Sequence, residues 1–316
     1  MKKFFIISAL VAFSMSLFAA DQNTAVVTFS SSYPTGAVNE KAVFSVSATK
    51  QVYFSKGNLQ YQPSTKTWRF TEHQYDYSGN GGNSYGNLGS GNDNRQISNS
   101  SYTGWLDLFG WGCDGFYDPN EPYVNYYRPT DAAQQNSGYV RWTSGAGIEN
   151  SNHDWGVYVP ISNGGNEVGM WRTLTVEEWT YLISNRSGVK HALVTVCGVA
   201  GLILLPDNWP ATWPSGGGTA IETSIPGHPV YYTQYNYNAS QWNVLEANGA
   251  VFLPSAGSRS GTTYSNSSPQ TGNYWLANST ANSNQKAQYV EIAGDAINIG
   301  NFYRYIGLSV RLVRNK

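Results

Sequence analysis

The chain has 316 residues, of which only 12% are charged while 15% are aromatic and 33 are glycine. A folded domain usually carries about a quarter charged residues, so this composition describes a turn-rich, β-heavy extracytoplasmic protein and excludes a disordered chain, a coiled coil or a helical bundle. Nineteen Lys and Arg against twenty Asp and Glu give a net charge of −1, with no basic stripe to hold a nucleic acid.

The chain opens with Met1-Lys2-Lys3, an apolar stretch from Phe4 to Phe18, and Ala19-Ala20 before the polar Asp21-Gln22. This reads as a secretory signal peptide over residues 1–20, which places the protein in the periplasm, on the outer surface or in the medium. Later apolar runs fall short of the ~18 residues of a spanning helix, so no transmembrane segment is expected. A lead-in segment occupies residues 21–47, and a single domain is expected over 48–316. Gln51 to Tyr61 reads as a strand or a hairpin broken at Gly57-Asn58. Residues 78–101 and 113–152 are polar and irregular, and read as loops.

Two helices are predicted. Thr175 and Glu178 have capping-box spacing, with Leu174 and Trp179 placed as a hydrophobic staple. Val176, Trp179, Leu182 and Ile183 share one face, and Gly188 is a stop signal. The second helix runs from about Ser240 through Trp242 and Leu245 to Gly249. Ala192–Cys197, Leu202–Pro206 and Val251–Pro254 read as strands. Tyr289–Ile292, Ala296–Ile299 and Leu308–Val313 alternate apolar and polar in hairpin-like order. The expected class is α+β: two helices around a mostly antiparallel sheet with long loops.

Trp171-Arg172-Thr173-Leu174-Thr175-Val176-Glu177-Glu178-Trp179 resembles the R-L-P-T-E-A-E-W signature of the formylglycine-generating, or sulfatase-modifying factor, fold. Gly272-Asn273-Tyr274-Trp275 resembles its later G-N-V-W, and Gly307-Leu308-Ser309-Val310-Arg311-Leu312-Val313-Arg314 its G-F-R-L-V-R ending. Phe54–Tyr61, Trp105–Gly112, Leu204–Trp209 and Leu253–Arg259 are similar, in that order, to strings of the FISUMP-type (Fibrobacter succinogenes major paralogous) domains, which also occur in gut Bacteroidota. The resemblance spans roughly residues 50–314. It implies a C-type-lectin-like fold in which the first and last strands pair and late loops form the ligand surface.

The resemblance does not bring its chemistry with it. Formylglycine-generating enzymes use a late pair of cysteines, and here no Cys follows Cys197. Fold likeness does not restore a missing nucleophile. Cys113 and Cys197 pair or stay free without the sequence deciding which. His73, His153, His191 and His228 lack metal-ligand spacing. Gly257-Ser258-Arg259-Ser260-Gly261 is not a nucleophile elbow. Glu177-Glu178 is explained by helix capping. Asp107, Asp114 and Asp118 read as turn or buried hydrogen-bonding residues, and Arg172 and Arg311 as structural cations. No cofactor is implied. Asn92-Asp93-Asn94 and Asp114–Asp118 offer oxygen ligands suited to Ca²⁺, but neither is an EF-hand loop.

The binding surface is expected in the late region: Tyr264, Asn273, Tyr274, Trp275, Asn278, Asn282, Asn284, Asn301, Tyr303 and Tyr305, with Asn266 nearby. Tyr and Trp give large rigid contact area, and Asn gives adaptable hydrogen bonds. Trp105, Trp111 and Trp155 read as core residues. The favoured function is an exported, non-enzymatic, adhesin-like protein binding a glycan or a surface protein. The alternatives are a structural component of a surface appendage or envelope assembly, or a divergent oxidase or glycan-active enzyme.

Overall fold

The computed structural model describes residues 36–39, 42–82, 86–97, 99–112, 147–151, 153–187, 191–209, 236–266, 271–281, 286–293 and 296–316. The signal-peptide segment, Cys113, Asp114, Asp118, Gly188, His228, Asn282 and Asn284 lie outside them.

Apolar residues recur on alternate positions of the strands, and this sorts the core into three layers separated by two sheets. The first sheet has the order β7-β5-β6-β8: Asn236–Tyr237, His191–Val196, Val199–Leu204 and Val251–Pro254. One face feeds Ala192, Val194, Val196, Ile203 and Phe252 into a layer closed by Trp242 and Leu245. Both come from a helix at Ala239–Ala247. The other face feeds Leu193, Leu202, Leu204, Val251 and Leu253 into a middle layer. The turn between β5 and β6 has two residues, Cys197 and Gly198, both with positive φ (50° and 83°). That is what a tight hairpin needs to match the strand twist.

The second sheet is the meander β11-β12-β13: Gly272–Ser279, Lys286–Ala293 and Ala296–Tyr303. Tyr274, Leu276, Val290 and Ile292 face the middle layer. Trp275, Ala277, Ala287 and Tyr289 face the third layer. The third layer also takes Leu59 and Tyr61 from β3 (Leu59–Gln62) and Trp68 and Phe70 from β4 (Thr67–Phe70). It holds Trp111, Trp155 and Trp171 as well, all fully buried. β11 is therefore buried on both faces, β12 is buried in part with Lys286 and Gln288 half-buried at one end, and β13 overhangs the core.

The expected hairpin at 51–61 does not form. β2 (Gln51–Phe54) joins a sheet of order β1-β2-β14, with β1 at Phe44–Ser45 and β14 at Val313–Asn315, while β3 pairs with β4. Gly57 explains the break: a Cβ there would lie 2.0 Å from Thr71 Oγ1, so only glycine lets the chain pass between the two sheets. The C-terminal strand β14 thus lies in the same sheet as the first strand but pairs with β2 rather than with β1. Phe44 and Val46, in the lead-in, are buried in the middle layer, and one compact unit spans Pro34–Lys316.

The alternation read at Leu308–Val313 does not mark a half-exposed strand. Every residue from Ile306 to Val313 is buried, and Leu308 and Ser309 make single bridges to Phe109 and Tyr274. The polar positions point into a buried network. The Arg311 guanidinium donates to Gln74 Oε1 (2.5 Å), Phe252 O (3.3 Å) and Asn58 Oδ1 (3.4 Å). Burial pushes it down to about 10. Asn58 Nδ2 donates to the Tyr274 hydroxyl, which donates to Pro254 O at 2.8 Å.

The predicted capping box is present. Thr175 Oγ1 accepts from Glu178 N–H, and Glu178 Oε2 accepts from Thr175 N–H at 3.1 Å. The helix it starts is short, Val176–Thr180, and continues as a wider turn over Tyr181–Asn185. The second helix also carries a capping box, Asn238 with Gln241. A single-turn helix at Trp155–Tyr158 was not foreseen. Among the described residues, no helix is long and apolar enough to cross a membrane.

Candidate functional site

Three of the expected binding residues are core residues. Trp275 is 2% exposed, its indole N–H donates to Phe109 O at 2.7 Å, and its ring meets Tyr289 edge-on at 6.4 Å. Tyr274 is held in the buried network, and burial pushes its phenol up. Asn273 is buried, with Nδ2 donating to Gly257 O at 3.3 Å. The cause is that β11 lies between two apolar layers, so both of its faces are covered. Asn278 is half-buried and accepts from Val176 N–H at 2.8 Å, which satisfies a helix start across space. Tyr264 is half-buried and donates to Ala256 O at 2.9 Å. Asn266 is buried.

The remaining described candidates come together on β13 and the turn after it. β13 pairs with β12 in regular register: Lys286 with Tyr303, Gln288 with Asn301, and Val290 with Ile299. Positions 299, 301 and 303 are two apart and so share one face. Ile299 is 39% and Tyr303 38% exposed, two of the few large apolar side chains standing in solvent. Tyr303 stacks on Tyr305 (centroids 5.3 Å apart, planes at 20°), and the Lys286 ammonium sits 4.9 Å from the Tyr303 ring centre. Thr280 Oγ1 donates to Asn301 Oδ1 at 2.8 Å and so orients that amide. Burial pushes the Tyr305 phenol up, with Tyr303 contributing. Beneath, Arg304 Nε donates to Lys286 O at 3.1 Å, and its guanidinium lies 4.5 Å from the Trp111 ring centre.

Lys286, Gln288 and Ile299 escaped the sequence reading. The period-2 pattern puts Ile297, Ile299, Asn301 and Tyr303 on one face, which was available as a signal. It does not say that the core ends at Ile297.

The other sequence-level candidates are occupied structurally. Asp93 is gripped by Arg95 (2.9 Å), Asn92 Oδ1 accepts from Trp105 N–H, and Asn94 accepts from the amides of Asp107 and Leu108. Asp107 is buried and accepts from Ser78 N–H (2.6 Å) and Asn94 Nδ2 (2.8 Å). Burial pushes its carboxyl up against these donors. Glu178 forms a two-pronged pair with Arg172 at 2.7 and 2.8 Å, while Glu177 is exposed. Cys197 is a free, half-buried thiol pushed up by burial, and a thiol kept protonated is a poor nucleophile. Among the described residues, no three His, Cys, Asp or Glu side chains lie together as a metal site would require.

Asp154 is a second buried carboxyl that burial raises, and it titrates near neutrality. It is fully buried and accepts from Thr173 N–H and from Thr173 Oγ1 (2.8 Å). Burial nevertheless pushes it up to about 7, outweighing these bonds and the pull of Arg172, with Glu149 adding to the rise. Folding therefore favours its protonated form. The stability it contributes is full below the ordinary carboxyl value and is lost as pH rises through about 7. Between pH 7 and 5 the chain is expected to gain roughly 2–3 kcal/mol relative to Asp154→Asn. Urea unfolding of both proteins across that range checks this, and a constant difference between them would refute it.

Comparison with protein-family models, curated proteins and solved structures yields no match to this chain.

Proposed function

We propose that the chain is an exported, non-enzymatic binding protein that holds a glycan or a surface-protein ligand on the face of β13 where that strand runs on past the middle layer. One observation carries the reading. Ile299 and Tyr303 stand exposed in line on a single strand face, with Asn301 between them and Tyr305 and Lys286 against the Tyr303 ring. A rigid aromatic pair beside an oriented amide is the composition of a recognition surface. The leader-like opening supports export. The resemblance to FISUMP-type domains, and through them to the C-type-lectin-like fold, supports a ligand surface late in the chain.

A glycan array and a surface-protein overlay with residues 21–316, run with and without Ca²⁺, test this. The double variant Tyr303→Ala/Tyr305→Ala is expected to lose binding at least tenfold. Tyr303 stands exposed whereas Tyr305 packs against the rim of the third layer, so Tyr303→Ala alone is the variant expected to keep thermal stability unchanged, and it should weaken binding too. Equal binding by the variant would place the site elsewhere.

A second reading, a subunit of a surface assembly, draws on the strand edge. Ala296–Tyr303 contains no charge and no proline, and among the described residues only β12 pairs with it. Such an edge is open to a further strand. Concentration-dependent oligomers without any ligand would favour that reading.

A further inference from the structure

The proposed binding face also carries a charge pattern that narrows its ligand. Resting on that reading, we propose that the face formed by Lys286, Gln288, Asn301, Tyr303 and Tyr305 takes acidic sugars, with Lys286 as the residue that selects their carboxylate.

The strand register settles which charges share the face. Lys286, Gln288, Val290 and Ile292 lie on the same side as Tyr303, Asn301, Ile299 and Ile297. Lys286 is the single charge in that set. Glu291, five positions along β12, points to the other side, where Tyr289 Oη lies 3.5 Å from its carboxylate. The ion pairs among the described residues join Arg69 to Glu72, Arg95 to Asp93, Arg172 to Glu178 and Arg186 to Asp207. Lys286 takes part in none of them. Its ammonium is held at the edge of the aromatic pair by the Tyr303 ring, an attraction that leaves its positive charge unneutralised.

Each part of the face then has a counterpart in an acidic sugar. The phenol rings offer flat apolar area to the C–H face of a pyranose. The Asn301 carbonyl already accepts from Thr280, so its NH₂ group is the part turned outward to donate to a hydroxyl. The ammonium pairs with a carboxylate, the charge-assisted bond being the strongest of the set. A cationic ligand meets Lys286 as a like charge, and a neutral sugar leaves it without a partner.

Polygalacturonate against its fully methyl-esterified form, and sialyllactose against lactose, are the probes. The first pair keeps every ring and changes only the acid, and the second adds one acidic ring to a neutral disaccharide. Residues 21–316 are expected to bind the acidic member of at least one pair tenfold or more tightly, and less so as salt rises. Lys286→Met, which keeps the apolar stem, is expected to remove that preference by lowering acidic binding to the level of the neutral member. An unchanged acid preference in Lys286→Met overturns the inference. So does neutral binding that equals acidic binding and depends on Tyr303 and Tyr305, although the binding-face reading then stands. Failure to bind any sugar overturns the inference and leaves the binding-face reading to the surface-protein overlay, whereas binding that survives Tyr303→Ala/Tyr305→Ala overturns both.

Discussion

Glu178→Ala is expected to destabilise the protein by about 3–5 kcal/mol, because it strands a buried cation. The Glu178 carboxylate accepts both prongs of Arg172 at 2.7 and 2.8 Å and the Thr175 amide at 3.1 Å. Its side chain and that of Arg172 are 7% and 10% exposed, so water does not replace the lost partner. Arg172 also ties the chain end down, since its backbone exchanges hydrogen bonds with Val313 and its Nε donates to Asn315 Oδ1 at 2.9 Å. The same substitution removes half of the capping box, worth about 1 kcal/mol. Arg172→Met combined with Glu178→Met is expected to recover most of the loss, because two apolar chains leave no buried charge. Urea denaturation of the three proteins checks this. A Glu178→Ala cost below about 1 kcal/mol would show that the pair is solvated and the clamp weak.

Trp275→Ala is expected to cost about 3–5 kcal/mol of stability and to change binding only through unfolding. The indole fills the layer between β11 and the β3–β4 hairpin, meets Tyr289 edge-on, and satisfies the Phe109 carbonyl. Truncation leaves a cavity together with a buried carbonyl lacking its donor. Trp275→Phe keeps most of the volume and is expected to cost roughly 1–2 kcal/mol, mainly for the lost bond. Chemical denaturation measures both variants, and ligand binding measured well below the midpoint separates stability from recognition. A stable Trp275→Ala protein that no longer binds would move the site from the β13 face to the β11 layer. That contrast with Tyr303, whose removal is expected to spare stability, makes the two tryptophan variants the control for the tyrosine pair.

The readable parts of the fold were those whose cause is local. Thr175 and Glu178 specify their helix start because the box is closed within four residues. The β12–β13 hairpin follows from alternation, and β5 and β6 are readable as strands because each is an apolar run. Arg172 could be recognised as structural because its partner is six residues away. For Asp107 the sequence left a turn and buried hydrogen bonding open, and the structure decides for the second, with Asn94 and Ser78 as its donors.

The binding face was legible only in part, and for a different reason. Tyr and Asn side chains announce a recognition surface equally whether they stand on β11 or on β13. The sequence by itself determined the α+β class, the capped helix start at Thr175, the β12–β13 hairpin and the late cluster of Tyr, Trp and Asn. Tertiary structure alone decided that β11 runs between two apolar layers, burying Asn273, Tyr274 and Trp275, while β13 extends past the core and leaves Ile299 and Tyr303 in water. It likewise decided that β2 and β3 part company at Gly57, and that Ser309 and Arg311 turn inward rather than outward. Alternation tells a strand that it has two sides. Which side is covered depends on residues far away along the chain that pack against it.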